Sequence, residues 1–336
     1  MSSPGKKRPR SSSPPGGSSQ RNTSGAPVPV FDASVELCST DYRPWKALMD
    51  ADGVGKAVEA TALKKPKAAQ LLRDLHSELG KRASFTSESV ASASAKEIHE
   101  AMCRLVQYKL TRGAFRPGLL QQFQGNPAAT VKESLRAALA PLDTEDVFEL
   151  LVRDTTVKPA AKKSTSSSDT LPAGWRVVAA KEHDMSSTTN NESLCLVALK
   201  HSAVMTAIKA LSDLKGVGPA TSTIFLAKSK AVLPKALSSA MTKSKFLATI
   251  PLLTVSPFMA DESMKALGVP LVYTPANCTR FLAEVRRTQM ELVDSMLRLS
   301  RDAKAAAAEL TAHSALVEAQ AISEALWASL VLRPKA

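Results

Sequence analysis

The stretch Leu214-Lys215-Gly216-Val217-Gly218-Pro219-Ala220-Thr221 constrains this chain more than any other. An apolar-periodic segment runs into a Gly-Val-Gly-Pro turn, and a second apolar-periodic segment leaves it. Gly216 and Gly218 supply backbone freedom that other residues lack, including positive φ. Pro219 suits the first position of a helix, where its missing N–H is no loss. The remaining amides of such a helix start have no intrahelical partner and form a ready anion site. The geometry predicts a contact to a nucleic-acid phosphate, read without regard to base sequence.

Lys215 to Thr221 resembles the hairpin of helix-hairpin-helix DNA-binding proteins. More closely, Leu211-Ser-Asp-Leu-Lys-Gly-Val-Gly-Pro-Ala-Thr-Ser-Thr-Ile resembles the hairpin of a little-characterised eukaryotic family with distant similarity to the helix-hairpin-helix (HhH-GPD) DNA glycosylases. Gln107-Tyr-Lys-Leu-Thr-Arg-Gly-Ala-Phe-Arg-Pro117 is similar to the same family. The resemblance implies a DNA partner, with RNA as the alternative. The predicted contact set is Lys215, Gly216, Val217, Gly218, Ala220 and Thr221, with Lys228 and Lys230 beyond them. Gly218, Ala220 and Thr221 would offer amides to one phosphate. Lys200, Lys209, Lys235, Lys243 and Lys245 add point charges that attract phosphates without selecting bases. Asp213 is the single acidic residue between Leu194 and Ile250. The competing reading is a helix–helix turn whose glycines serve packing or a protein contact.

Asp261 is the candidate catalytic residue. In the glycosylases a Pro-containing loop after the hairpin leads to a catalytic aspartate, and Ser256-Pro-Phe-Met-Ala-Asp261 resembles that context. Such a carboxylate would activate water or stabilise charge developing on the sugar of a flipped nucleotide. The match departs from the pattern in its long spacing from Gly218. Ala220 stands where bifunctional enzymes hold their lyase lysine, so no Schiff-base step is implied. The plainer reading makes Asp261 an N-terminal helix residue favoured by the helix dipole, and it is preferred. Lys109, Arg112 and Arg116 form a basic turn around Gly113, with Tyr108 and Phe115 read as core residues whose rims the cations cover.

Composition sets the frame. Of 336 residues, 44% are hydrophobic and only 4% aromatic, which favours helices over sandwiches or barrels. The expected fold is an all-α helical bundle containing the hairpin. A formal net charge of +13 favours an anionic partner, nucleic acid before membrane surface. No transmembrane segment is expected, because the apolar stretch Phe246 to Val255 is short and broken by Pro251. No secretory signal is read at the N-terminus. Cys38, Cys103, Cys195 and Cys278 are too scattered for zinc or an iron–sulfur cluster, so neither metal nor cofactor is expected.

Residues 1–30 contain no acidic residue and read as a disordered, basic, Ser/Pro-rich tail. Within it, Lys6, Lys7, Arg8 and Arg10 resemble a nuclear localisation signal. Residues 31–155 read as helices joined by short turns. Leu71, Leu72, Leu75 and Leu79 mark one helix with Gly80 at its C-cap, and Ala83 to Ala95 reads as a loop. Ile98 to Leu110 form a helix ended by Gly113, with Pro117 opening the next. Gly125-Asn126-Pro127 is a turn, and Thr144 starts another helix. Residues 156–192 read as a linker or mobile insertion, apart from a strand-like Trp175 to Ala179. From 193 to 333 the helical pattern is expected throughout.

The expectation is therefore a nuclear, non-catalytic DNA binder acting through backbone phosphates, in DNA repair or chromosome maintenance by family resemblance. Two alternatives stand beside it. One is a monofunctional DNA glycosylase using Asp261, the other a protein-interaction scaffold with a structural hairpin.

Overall fold

Two apolar runs without helical periodicity overturn the all-α expectation. The computed structural model describes residues 37–113, 116–158, 171–180 and 193–333. In it, β1 (Phe148–Asp154), β2 (Trp175–Ala179), β3 (Ser193–Leu199) and β4 (Ala248–Leu252) form one sheet in the order β2-β1-β3-β4. β1 pairs antiparallel with β2 and β3, while β3 pairs parallel with β4. Every residue of β3 is buried. A strand covered on both faces is apolar at every position, so its sequence lacks alternation and cannot be told from a buried helical segment. The expected helical run from 193 onward is broken by β3 and by β4, whose residues alternate between buried and half-buried. Thr144 starts only a single 3-10 turn, Glu145–Val147, which leads into β1.

The rest of the described chain is mostly helical. The N-terminal part supplies α1 (Arg43–Asp50), α2 (Gly53–Lys64), α3 (Ala69–Lys81), α4 (Ser87–Ser92), α5 (Ala95–Arg112), α6 (Leu119–Gln124) and α7 (Ala128–Leu139). Beyond the first three strands come α8 (His201–Ser212), α9 (Pro219–Ala227), α10 (Lys235–Lys243), α11 (Asp261–Ala266), α12 (Pro275–Leu299), α13 (Ala303–Ala312) and α14 (Ala319–Leu332). Capping explains several starts. Ser94 and Glu97 form a capping box on α5. Thr274 caps α12, its hydroxyl accepting from the Asn277 amide, with Pro275 in the first helical position.

The Ser-rich stretch expected as a loop contains α4 instead, because Thr86 and Ser89 cap it reciprocally. Gly80 lies inside α3, and Arg82 takes the C-cap. Gly118, at φ +79°, precedes α6, which begins after Pro117 rather than at it. Residues 1–30, with Lys6, Lys7, Arg8 and Arg10, lie outside the described residues, as do Phe115 and much of 156–192. One continuous core joins both parts of the chain, from Trp45 and Met102 through Leu196 and Phe225 to Phe281 and Trp327.

The sheet is anchored to α12 by a buried ion pair. Arg153 on β1, fully buried, donates through Nε to Asp294 at 2.5 Å. Trp175 Nε1 donates to the same carboxylate at 3.2 Å. Burial pushes the Asp294 carboxyl up, and Arg153 only partly pulls it back. Gly174, at φ +80°, leaves room for Arg153, since a Cβ there would sit 2.2 Å from Nη1. Asp294→Ala strands the guanidinium without its counter-charge. The expected loss is about 3–5 kcal/mol, read from urea unfolding. A loss below about 1 kcal/mol would show that the Arg153 charge is satisfied without Asp294.

Candidate nucleic-acid interface

The turn between α8 and α9, residues 213–218, is built by groups from the N-terminal helices. Asn126, from the Gly-Asn-Pro turn before α7, clamps Lys215 on both sides. Its Oδ1 accepts from the Lys215 amide at 2.9 Å, and its Nδ2 donates to the Lys215 carbonyl at 3.0 Å. Gly216 sits at φ +76°, where a Cβ would lie 3.1 Å from Gln122 Cβ and 3.2 Å from the Leu119 carbonyl oxygen. Glycine is required there by conformation and by the close approach of α6. Gly218 differs. Its φ is −115°, it is exposed, and a Cβ would meet nothing within 4 Å.

The predicted contact residues divide accordingly. Lys215 and Gly218 are exposed, and Gly216 is half-buried. Val217 and Ala220 are buried against the core side, at 7% and 5% exposure. Thr221 is also buried, and its amide donates to the Gly218 carbonyl at 2.9 Å. Thr221 therefore does not offer the amide expected of it. The Gly216 and Gly218 amides donate no hydrogen bond among the described residues. Lys228 and Lys230 lie beyond the other end of α9, about 13 Å along its axis from the turn. The structure does not bring them to the turn.

It does bring the two resembling segments together. Lys109 Nζ, from α5, donates to Thr221 Oγ1 at 2.7 Å. Behind that contact lies a cavity of about 40 Å³, lined by Lys109, Arg112, Arg116, Asp261, Glu262 and Tyr273 among others. Burial pushes the Lys109 ammonium down to about 8, with Arg116 lowering it further and Asp261 opposing. Arg112 is buried and ion-paired to Glu324 on α14 at 2.6 Å. Its guanidinium lies 3.8 Å from the Trp327 ring centroid, with Phe258 and Tyr108 also beside it. Arg116 lies over the Tyr273 ring. Lys65 closes the end of α5 by donating to the carbonyls of Thr111, Arg112 and Gly113.

Asp261 is the first residue of α11, the position of the plainer sequence reading, and it also faces this cavity. The Tyr273 hydroxyl donates to its Oδ1. Arg112 is answered by Glu324, so Lys109 and Arg116 face Asp261 and Glu262, and the cavity is close to electrically balanced. Its volume suits about three waters, well short of a nucleobase. Sequence reasoning missed Asn126 and Glu324. Asn126 alone left a signal, in the Gly-Asn-Pro turn, though not one that named its partner. His201, at the start of α8, is pushed down to about 3 by burial beside Arg286 and stays neutral.

Among the described residues no cluster of His, Cys, Asp and Glu is placed to hold a metal ion, and the four cysteines are free thiols. No helix among them is long and apolar enough to cross a membrane. No protein-family model matches the chain, and neither a curated protein nor a solved structure was found to match it.

The Lys109 environment sets signs that titration can check. Arg116→Gln removes a cation and should raise the Lys109 value, whereas Asp261→Asn removes an anion and should lower it. Between pH 8 and the ordinary lysine value of 10.5, the unfolded chain keeps a proton that the folded chain has shed. Stability contributed by this group therefore rises with pH across that window. NMR titration of the lysine side chains reads the shifts directly. A wild-type Lys109 that titrates at 10.5 would refute the burial argument.

Proposed function

We propose that this protein binds the sugar-phosphate backbone of DNA, with RNA as the alternative, through the α8–α9 unit acting as a helix-hairpin-helix. The observation that carries the reading is Gly218. It is exposed and unobstructed at the start of α9, next to exposed Lys215. A phosphate there meets free amides and the positive end of a helix. Exposed Lys209, Lys235, Lys243 and Lys245 carry charge in the same part of the chain. Contacts of this kind position a strand without reading its bases. Under this reading Lys6, Lys7, Arg8 and Arg10 serve as a nuclear address, and the resemblance to repair proteins points to DNA repair or chromosome maintenance.

A second reading, base release by Asp261, draws support from the carboxylate facing a cavity beside the same unit. The small volume of that cavity favours the non-catalytic reading. Under base release, Asp261→Asn abolishes product while DNA affinity stays nearly intact.

The test is a fluorescent DNA duplex titrated with salt. Gly218→Val fits the open space without strain, whereas any change at Gly216 would distort the turn. Gly218→Val should weaken binding about tenfold by blocking the amides. Lys215→Gln should reduce the magnitude of the log–log salt slope by about 0.9, one phosphate contact. Deleting residues 1–30 should leave both effects in place. If only that deletion lowers affinity, the turn is structural and the scaffold reading takes over.

A further inference from the structure

A second, larger recess of about 360 Å³ lies between α3, α5, α9 and α14, sharing Phe258 as a wall with the small cavity. Its volume falls within the range of small-molecule sites. Leu79, Leu105 and Ile224 give it an apolar floor. His76 and Tyr108 form one wall, stacked with ring centroids 6.2 Å apart and planes 24° apart. Glu324 stands at another, and its Oε2 has no hydrogen-bond partner among the described residues. That oxygen is shielded from solvent and is an unmet acceptor at the wall of the recess.

The rim is cationic. Lys228 and Lys230 line it, and Arg82 is near enough to act on Lys228. Burial and these two like charges all push the Lys228 ammonium down. The cations are held there by the backbone. The Phe85 amide donates to the Lys228 carbonyl at 2.9 Å, and the Lys230 amide donates to the Phe85 carbonyl at 2.8 Å. Glu78 answers Arg82, at 3.3 Å. Cations crowded at one rim are relieved by a multiply charged anion. An aromatic wall, an apolar floor and an unpaired acceptor suit a flat ring that donates hydrogen bonds.

We propose that this groove binds a 5′-phosphorylated nucleotide, its ring against His76 and Tyr108 and its phosphate at Lys228 and Lys230. The inference stands on the groove and does not rest on the reading of the turn. Lys228 and Lys230, which lie away from the turn, have their role here.

Calorimetry on the full chain tests it with AMP, adenosine and ribose 5-phosphate. AMP should bind one to one, with adenosine and ribose 5-phosphate each at least about tenfold weaker. The Lys228→Ala/Lys230→Ala double variant should bring AMP down to the adenosine level and leave adenosine unchanged. His76→Ala should weaken AMP and adenosine alike and leave ribose 5-phosphate unchanged. Thermal melts establish that both variants are folded. Gly218→Val should bind AMP as wild type does, which separates this site from the turn. A 5′-phosphorylated oligoadenylate that displaces AMP would place the nucleotide at a strand end, and one that does not would make the free nucleotide the ligand. AMP binding that is absent at millimolar concentration, or that is unchanged in both groove variants, would overturn the proposal.

Discussion

The buried Arg112 guanidinium fixes how α5 and α14 meet. It joins α5 to α14 through Glu324, lies over Trp327, and touches Phe258 in the segment leading to α11. Burial alone would discourage its charge, but Glu324 and the Tyr108 hydroxyl more than offset that cost. A buried cation with one good counter-ion is an all-or-none arrangement. Removing the partner leaves a stranded charge, at about 3–5 kcal/mol, so the two elements hold one relative position. The small cavity and the larger groove share Phe258, which packs on this same guanidinium. Their shapes therefore follow from where Arg112 is fixed.

The turn inherits that order through α5. Lys109 sits almost one helical turn before Arg112 and reaches Thr221 in the first turn of α9. Asn126 grips Lys215 from a different N-terminal segment. The α8–α9 turn is thus positioned by residues 109 and 126, far from it in sequence. A loop so held has little freedom left to lose when an anion docks, which favours affinity at a small contact area. Its rigidity also explains the difference between its glycines. Gly216 is needed by the fold because α6 crowds it, and Gly218 is left open to solvent.

The helices were legible where local chemistry specifies them. The Ile98-to-Leu110 stripe and Gly113 mark the body and end of α5, while Ser94 of its capping box fell in the stretch read as a loop. Of the sheet only β2 was legible, as the strand-like Trp175 to Ala179; β1 and β3 were not, because both are largely buried and their apolar runs carry no period. The Ser-rich 83–95 segment misled for the opposite reason. Its composition suggests a loop, while a Thr86–Ser89 cap makes a short helix. At the candidate site, the turn and the basic segment at 107–117 were each visible as separate pieces. Their meeting through Lys109 and Thr221 was not, since a contact across more than a hundred residues leaves no local pattern. Thr221 was expected to present its amide outward. The i−3 bond to the Gly218 carbonyl and the Lys109 contact turn it inward instead.

The distribution of charge then separates binding from chemistry. In the small cavity the cations of Lys109 and Arg116 stand against Asp261 and Glu262, and Arg112 is spent on Glu324. A balanced interior exerts little pull on a distant polyanion. The excess lies outside, on exposed lysines in a stretch whose one acidic residue is Asp213. Long-range attraction is set by such uncompensated surface charge and is screened by salt, whereas buried pairs are screened far less. If the proposed function holds, encounter with a nucleic acid would begin at the outer face of the turn. In the proposed binding mode the buried pairs would act at short range, by holding the turn that presents Gly218 and Lys215 in one position.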